Sequence, residues 1–297
     1  GVTFATTAMT GGLVDPSIDG ATAQVGNVWE TIIVNQLGTA AHDALSTFNE
    51  GRWGQLVRKP LFALYGTNET DETVLKTYTD GRKTDRTNAV IPCPGSPSAP
   101  WIIAARAAAR IAKQANEDPA TEYRGMTLDT VVNGKDGEQW NYDERDLAWK
   151  AGVSSTEIED GVIKLDNSLT FYHPDGKPDP EYGKIIYIVK LQNIIYNMDL
   201  IFDQPEWKKA PLIPDFQVST NPNARKPSDA VAALAVMTDN LANAAIISDP
   251  EFTKKNTFAS IDGSNPNRVN TAYPPKLSGN WDIHSADLTF GFYLGGA

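Results

Sequence analysis

Cysteine occurs once, at Cys93, and histidine three times, at His42, His173 and His284. A lone thiol excludes an internal disulfide and a cysteine-built zinc site. It stands in "IPCPG", at the end of an apolar run, and reads as a buried, inert thiol rather than a nucleophile. The histidines are far apart, with no H-x-x-x-H or H-E-x-x-H pairing, so a metal cluster has little support. His42–Asp43 near a helix start has the look of one arm of a nucleophilic triad. No Gly-x-Ser-x-Gly elbow supplies the serine, and a solvated helix pair is the expectation.

Positive charge is also scarce: 26 Lys and Arg stand against 37 Asp and Glu, a net charge of −11. Duplex nucleic acid is held mainly by cations on phosphates, so it is a poor candidate partner. No unbroken apolar run approaches the roughly 18 residues that span a bilayer, so no membrane partner is expected. "GVTFATTAMTGG" at the start has no basic n-region of a signal peptide. "MTGGLVD" lacks the P-loop Lys and the dinucleotide glycine spacing. Two acidic clusters are explained locally. "HPDGKPDPE", with Asp175, Asp179 and Glu181, lacks the EF-hand spacing and reads as a turn leading to a helix capped by Asp179, with Pro180 at its first position. "YDERD", with Asp143, Glu144 and Asp146, reads as a helix first turn, where acids suit the dipole. No catalytic, cofactor-binding or metal residue is assigned.

What is present is an ordinary globular composition, 41% hydrophobic and 21% charged. A length of 297 residues fits about two domains. Short apolar runs at 29–37, 59–66 and 88–93 alternate with helical segments at 38–55, 69–81 and 101–117. Strand starts near 31, 60 and 88 recur every ~29 residues, the length of a βαβ unit, which predicts an open, mostly parallel α/β sheet. Pro60 and Gly66 bound the second strand. Further on, 126–134 reads as a short strand, 141–155 as a helix ended at Gly152, and 161–172 as a strand. A helical stripe of Ile185, Ile188, Val189, Gln192, Ile195, Met198 and Phe202 follows, closed by Pro205. Another helix at 226–246 has Ser228 as its expected cap. The fold class is therefore α/β plus α+β, divided as residues 1–172 and a smaller mixed unit at 173–297. At the end, "NPNRVNTAYPPKLSGNWDIHSADLTFGFYLGGA" runs an Asn/Pro-rich loop into an alternating strand, with Ala286, Leu288, Phe290, Phe292 and Leu294 on one face.

Several stretches in order resemble the tail sheath protein of contractile phage tails, of the Mu type. These are "NVWETIIVNQLGTAAHDALSTFNEGRWG" (27–54), "SPSAPWIIAARAAARIAKQANEDPATEYRGMTLDTVV" (96–132) and "NYDERDLAWKAGVSSTEIEDGVIKLDNSLTFY" (141–172). The most specific is "NPNR…PPKL" followed by the terminal strand. Thr170, Phe171 and Tyr172 stand where the family has a "TTY" triplet, and Asp146 and Val153 are similar small departures.

The resemblance implies a structural, non-enzymatic subunit whose α/β part has a subtilisin-like topology. Hexameric rings of such subunits stack around a tube and contract to drive it into the host envelope. Expected partners are other sheath subunits, the tail tube protein, and baseplate and tail terminator proteins. The expected location is the virion, after assembly in the host cytoplasm. The family's N-terminal arm is expected to lie outside this sequence. The terminal strand would link subunits by adding to a neighbour's sheet, with Asn265, Pro266, Pro274, Pro275 and Gly279 in a flexible linker before it. The sheath of a tailocin or type VI-like machine is the near alternative. An α/β hydrolase or nucleotide-dependent enzyme with a divergent site is the remote one.

Overall fold

The structure, a computed structural model, describes residues 15–26, 28–178 and 181–287. After a short helix α1 (Asp19–Val25), three βαβ-linked strands follow: β1 (Ile32–Val34), α2 (Thr39–Trp53), β2 (Phe62–Thr67), α3 (Glu72–Asp80) and β3 (Asn88–Pro92). They pair in parallel in the order β1-β2-β3, with Ile32 opposite Phe62 and Leu64 opposite Ala89. Helix α4 (Pro100–Glu117) lies on the sheet through Ile103, Ala104, Ala107 and Ile111, all fully buried. A strand covered on both faces needs apolar side chains at successive positions rather than alternate ones. Phe62, Ala63 and Leu64, and Ala89, Val90 and Ile91, meet that need. Gly66 does not end the second strand as expected. It sits inside β2, where α4 presses so closely that a Cβ would meet the Pro100 carbonyl oxygen at 2.0 Å.

Helix α5 (Tyr142–Lys150) opens on a capping box: Asn141 accepts from the Asp143 and Glu144 amides, and Glu144 accepts from the Asn141 amide. It ends before Gly152, at φ +68°. The next segment holds an unanticipated strand, β4 (Ser155–Glu159), paired antiparallel with β5 (Val162–Asn167). The two residues between them, Asp160 and Gly161, both have positive φ, as a tight hairpin loop of primed type requires. The strand expected at 126–134 is reduced to one bridge, Thr127 with Lys164. Thr130, at φ +77°, turns the backbone away from further pairing.

Helix α6 (Ile185–Phe202) begins later than the sequence implied. Asp179 and Pro180 lie outside the described residues, and Lys184 occupies the cap position in extended conformation. The reason is a competing pairing: Thr170 N–H donates to Gly183 O and Ile185 N–H to Ser168 O, which holds Lys184 extended in a bridge with Leu169. By length and composition α6 could cross a membrane, a property that counting unbroken apolar runs overlooks. Here Ile185, Ile186 and Ile188 are fully buried against the sheet, and Gln192 donates to Pro60 O and Thr31 O.

A short helix α7 (Pro205–Lys208) precedes α8 (Pro227–Asn243). Ser228 is not the cap of α8 but its second residue, behind Pro227. Its amide donates to Asp215 Oδ1 at 3.0 Å, and the Lys226 amide donates to Asp229 Oδ2 at 2.8 Å, so two carboxylates do the capping. Then come β6 (Ile247–Ser248), α9 (Pro250–Asn256), β7 (Phe258–Ile261), β8 (Val269–Ala272) and β9 (Lys276–Leu277). One apolar cluster joins β2, β3, α4 and β5 to the first turns of α6. Another joins Ile194 of α6 to Leu234, Met237 and Leu241 of α8 and to Ile246 and Ile247. Helix α6 thus contributes its first half to one cluster and its second half to the other.

Candidate functional site

The histidines and the cysteine do not converge. His42 is not solvated as expected: it is 3% exposed, because α2 turns it inward among the rings of Tyr65, Tyr78 and Phe171. Its Nδ1 lies 2.5 Å from the Tyr78 hydroxyl. Burial, and then the Arg82 charge, lower its pKa to about 4. His173 is fully buried, with Nδ1 2.6 Å from Phe171 O. His284 lies on the surface beside the Trp281 ring. Cys93 is fully buried, and burial pushes its thiol up to about 12, as suits an inert group. Among the described residues no His, Cys, Asp and Glu gather in a group suited to a metal ion.

The C-terminal segment is a more substantial feature. The stretch read as slack loop is paired in two places, because its short apolar positions find partners within the same chain. Strand β8 pairs antiparallel with β7, Ala272 opposite Phe258, and β9 pairs with β6, Leu277 opposite Ile247. Asn265 and Pro266 form the β7–β8 connection. Asp262 holds it by accepting from the amides of Ser264 and Asn265 and from Asn270 Nδ2. The Ser264 hydroxyl, which also donates to it, leads these hydrogen bonds in keeping the Asp262 carboxyl well below the usual range. Pro274 and Pro275, which have no N–H to donate, separate β8 from β9, and Gly279 follows β9.

Beyond β9 the chain lies across α6 and the 118–124 loop. Lys190, fully buried on α6, donates to Ser278 O at 2.8 Å, Ser278 Oγ at 3.1 Å and Asn280 Oδ1 at 3.0 Å. Asn280 Nδ2 donates to Ala120 O at 2.8 Å. Asp282 pairs with Lys184, and its carbonyl accepts from Arg124 at 3.3 Å. Lys184 also lies 3.5 Å from Glu122. With Asn280 and Asp282 turned toward the body, Trp281 and Ile283 stand outward at 84% and 86% exposure. Ala286 is exposed and outside regular structure, while Leu288, Phe290, Phe292 and Leu294 lie outside the described residues. The β7–β8 hairpin forms a two-stranded sheet among the described residues, with Phe258 62% exposed. A two-stranded ribbon with exposed apolar side chains is a template for further strands.

Sequence reasoning missed Lys184 and Lys190. For Lys190 the available signal was a charged residue within an apolar helix, where burial of its ammonium requires dedicated acceptors.

No family model and no curated protein matches this sequence. Solved structures do. A chain of the anti-feeding prophage baseplate is similar over 88% of this chain and 69% of its own, at 12% identity and a TM-score of 0.60. A sheath of an extracellular contractile injection system, the PVC sheath in its contracted state, covers 87% and 70%, at 11% identity and a TM-score of 0.57. The sheath tail protein of Desulfitobacterium hafniense is matched over 86% of this chain but only 58% of its own, at 12% identity and a TM-score of 0.53. The chain has the fold of contractile sheath proteins.

Proposed function

We propose that this chain is a structural subunit of a contractile tail sheath. The observation that carries the reading is the fold, shared along most of the chain with a contracted PVC sheath and with a bacterial sheath tail protein. Its most specific sequence counterpart is the ordered set of sheath-like stretches that ends in "NPNR…PPKL". Hexameric rings, a Mu-type phage virion, partners in tube, baseplate and terminator, and a division at residue 172 belong to the same proposal.

In this reading the chain does mechanical rather than catalytic work. The titratable groups that first suggested chemistry serve the core instead: His42 bonds Tyr78 and Cys93 is enclosed. Linking falls to the C-terminus. The strand carrying Ala286, Leu288, Phe290, Phe292 and Leu294 adds to the β7–β8 hairpin of a neighbouring copy. Main-chain hydrogen bonds supply strength and alternating side chains set register.

A second reading is favoured by the PVC neighbour, the sheath of an extracellular contractile injection system. There the subunit would sheathe an extracellular machine rather than a phage tail. Both readings predict that the full-length protein forms striated hollow cylinders, visible by negative-stain electron microscopy. Removal of residues 281–297 should abolish cylinders while leaving a soluble, folded core. A full-length protein that stays monomeric with its tube protein, or that scores in a broad esterase, protease and nucleotide-binding screen, would count against the sheath. Genes flanking this one, for a capsid or for a toxin payload, separate the two readings.

A further inference from the structure

We propose that the Lys190 ammonium clamps the C-terminal segment to its own subunit at Ser278 and Asn280, so that a pull on the chain beyond them does not peel back into β9 and β8. All three N–H groups of a lysine ammonium are available as donors, and here all three go to Ser278 and Asn280. The residue is fully buried while the segment lies over it, so water reaches the ammonium only when the segment lifts as a whole. Breaking one bond while the rest of the segment stays in place would leave a buried cation short of a partner, which is unfavourable. The three bonds are therefore lost together or kept together.

The backbone alone would hold this segment poorly. Strand β9 meets β6 over only two residue pairs, Ile247 with Leu277 and Ser248 with Lys276. A two-stranded pairing of that length is marginal in water. Side-chain contacts surround it on the other flank: Asn280 reaches Ala120, and Asp282 meets Lys184 and Arg124. These partners sit on the 118–124 loop and on the first turns of α6, the part of the helix packed against the parallel sheet. Tension on the tail would therefore pass into the α/β core rather than into the small hairpin. Trp281 and Ile283 face outward at the end of this clamped stretch.

The clamp takes the linking role of this segment from the sheath reading, but it is measured without it. Hydrogen–deuterium exchange on the 297-residue chain compares the parent with Lys190→Met, which keeps the apolar stem and removes the charge, and with Asn280→Ala. The expected result is that amides of 276–284 exchange at least tenfold faster in Lys190→Met and severalfold faster in Asn280→Ala. Amides of β2 and β3 should keep the parent rates. If Lys190→Met does not fold, Asn280→Ala decides. Exchange of 276–284 within twofold of the parent in the folded variants would overturn the clamp. Polymerisation of the full-length protein tests the linking role separately, so either can fail alone.

Discussion

The Nδ1 of His42 and the hydroxyl of Tyr78 meet at 2.5 Å inside the α/β unit, where the imidazole is 3% exposed. Burial, with Arg82 adding to it, lowers the His42 pKa from 6.5 to about 4. The unfolded chain therefore binds this proton more readily than the folded one. The stability that His42 contributes is complete above pH 6.5 and is lost as pH falls toward 4. The full loss is about 3 kcal/mol. Urea midpoints at pH 7 and pH 4.5 should differ markedly for the parent and much less for His42→Gln. An equal pH dependence in both would assign the loss to other groups.

Gly66 makes the closest backbone approach in the parallel sheet. An added Cβ would lie 2.0 Å from Pro100 O and 2.9 Å from Ala104 N, both backbone atoms at the start of α4. Neither atom can rotate aside, so Gly66→Ala must shift the helix off the strand. The expected cost is about 3 kcal/mol. Urea denaturation reads it as a lower midpoint with an unchanged slope. A change under about 0.5 kcal/mol would mean that α4 sits less tightly than its geometry indicates.

The parallel sheet was legible because its signals are local and repeated. The starts of β1, β2 and β3 at 32, 62 and 88 lie close to the positions that the βαβ rhythm predicts. Two kinds of feature escaped. Hairpin β4–β5 turns on Asp160-Gly161, a tight-turn signal hidden because "STEIE" is polar and partly exposed and carries little apolar pattern. The β9 pairing is long-range, formed with residues roughly 30 positions upstream, so no short window contains both partners; the β7–β8 hairpin is local, but its strands are short and mostly exposed. The candidate site fared similarly. Prolines and asparagines at 265–275 did mark chain reversals, yet the pairings between them depended on where α8 and α9 end. The acceptors of Lys190 and Lys184 were hidden for the same reason, since they lie roughly 90 residues away.

Cys93 offers an internal reporter of opening. Its side chain is fully buried at the end of β3, and burial pushes its thiol up to about 12. At pH 8 only about one thiol in ten thousand would be ionised, and that thiolate is shielded from reagent. A chromogenic disulfide reagent should leave the native chain unmodified over hours and react at once in denaturant. The modification rate in intermediate urea should then follow the unfolding transition. Rapid labelling of the native chain would show that the β3 end opens locally.

Trp281 and Ile283 are the side chains on which an assembly role can be separated from a folding role. Their exposures of 84% and 86% mean that little apolar contact is lost when both become serine. Substitutions of that kind away from buried features usually change stability by less than about 0.5 kcal/mol. Their neighbours Asn280 and Asp282 stay clamped, so the segment keeps its course. If the outward face docks on an adjoining copy, Trp281→Ser with Ile283→Ser in the full-length protein should raise the concentration needed for polymerisation at least tenfold. Leu56→Ser, at a comparably exposed position after α2, is the control and should polymerise normally. Light scattering against concentration reads both. Normal assembly by the double variant would remove these two side chains from the contact and leave the strand beyond Ala286 as the link to test.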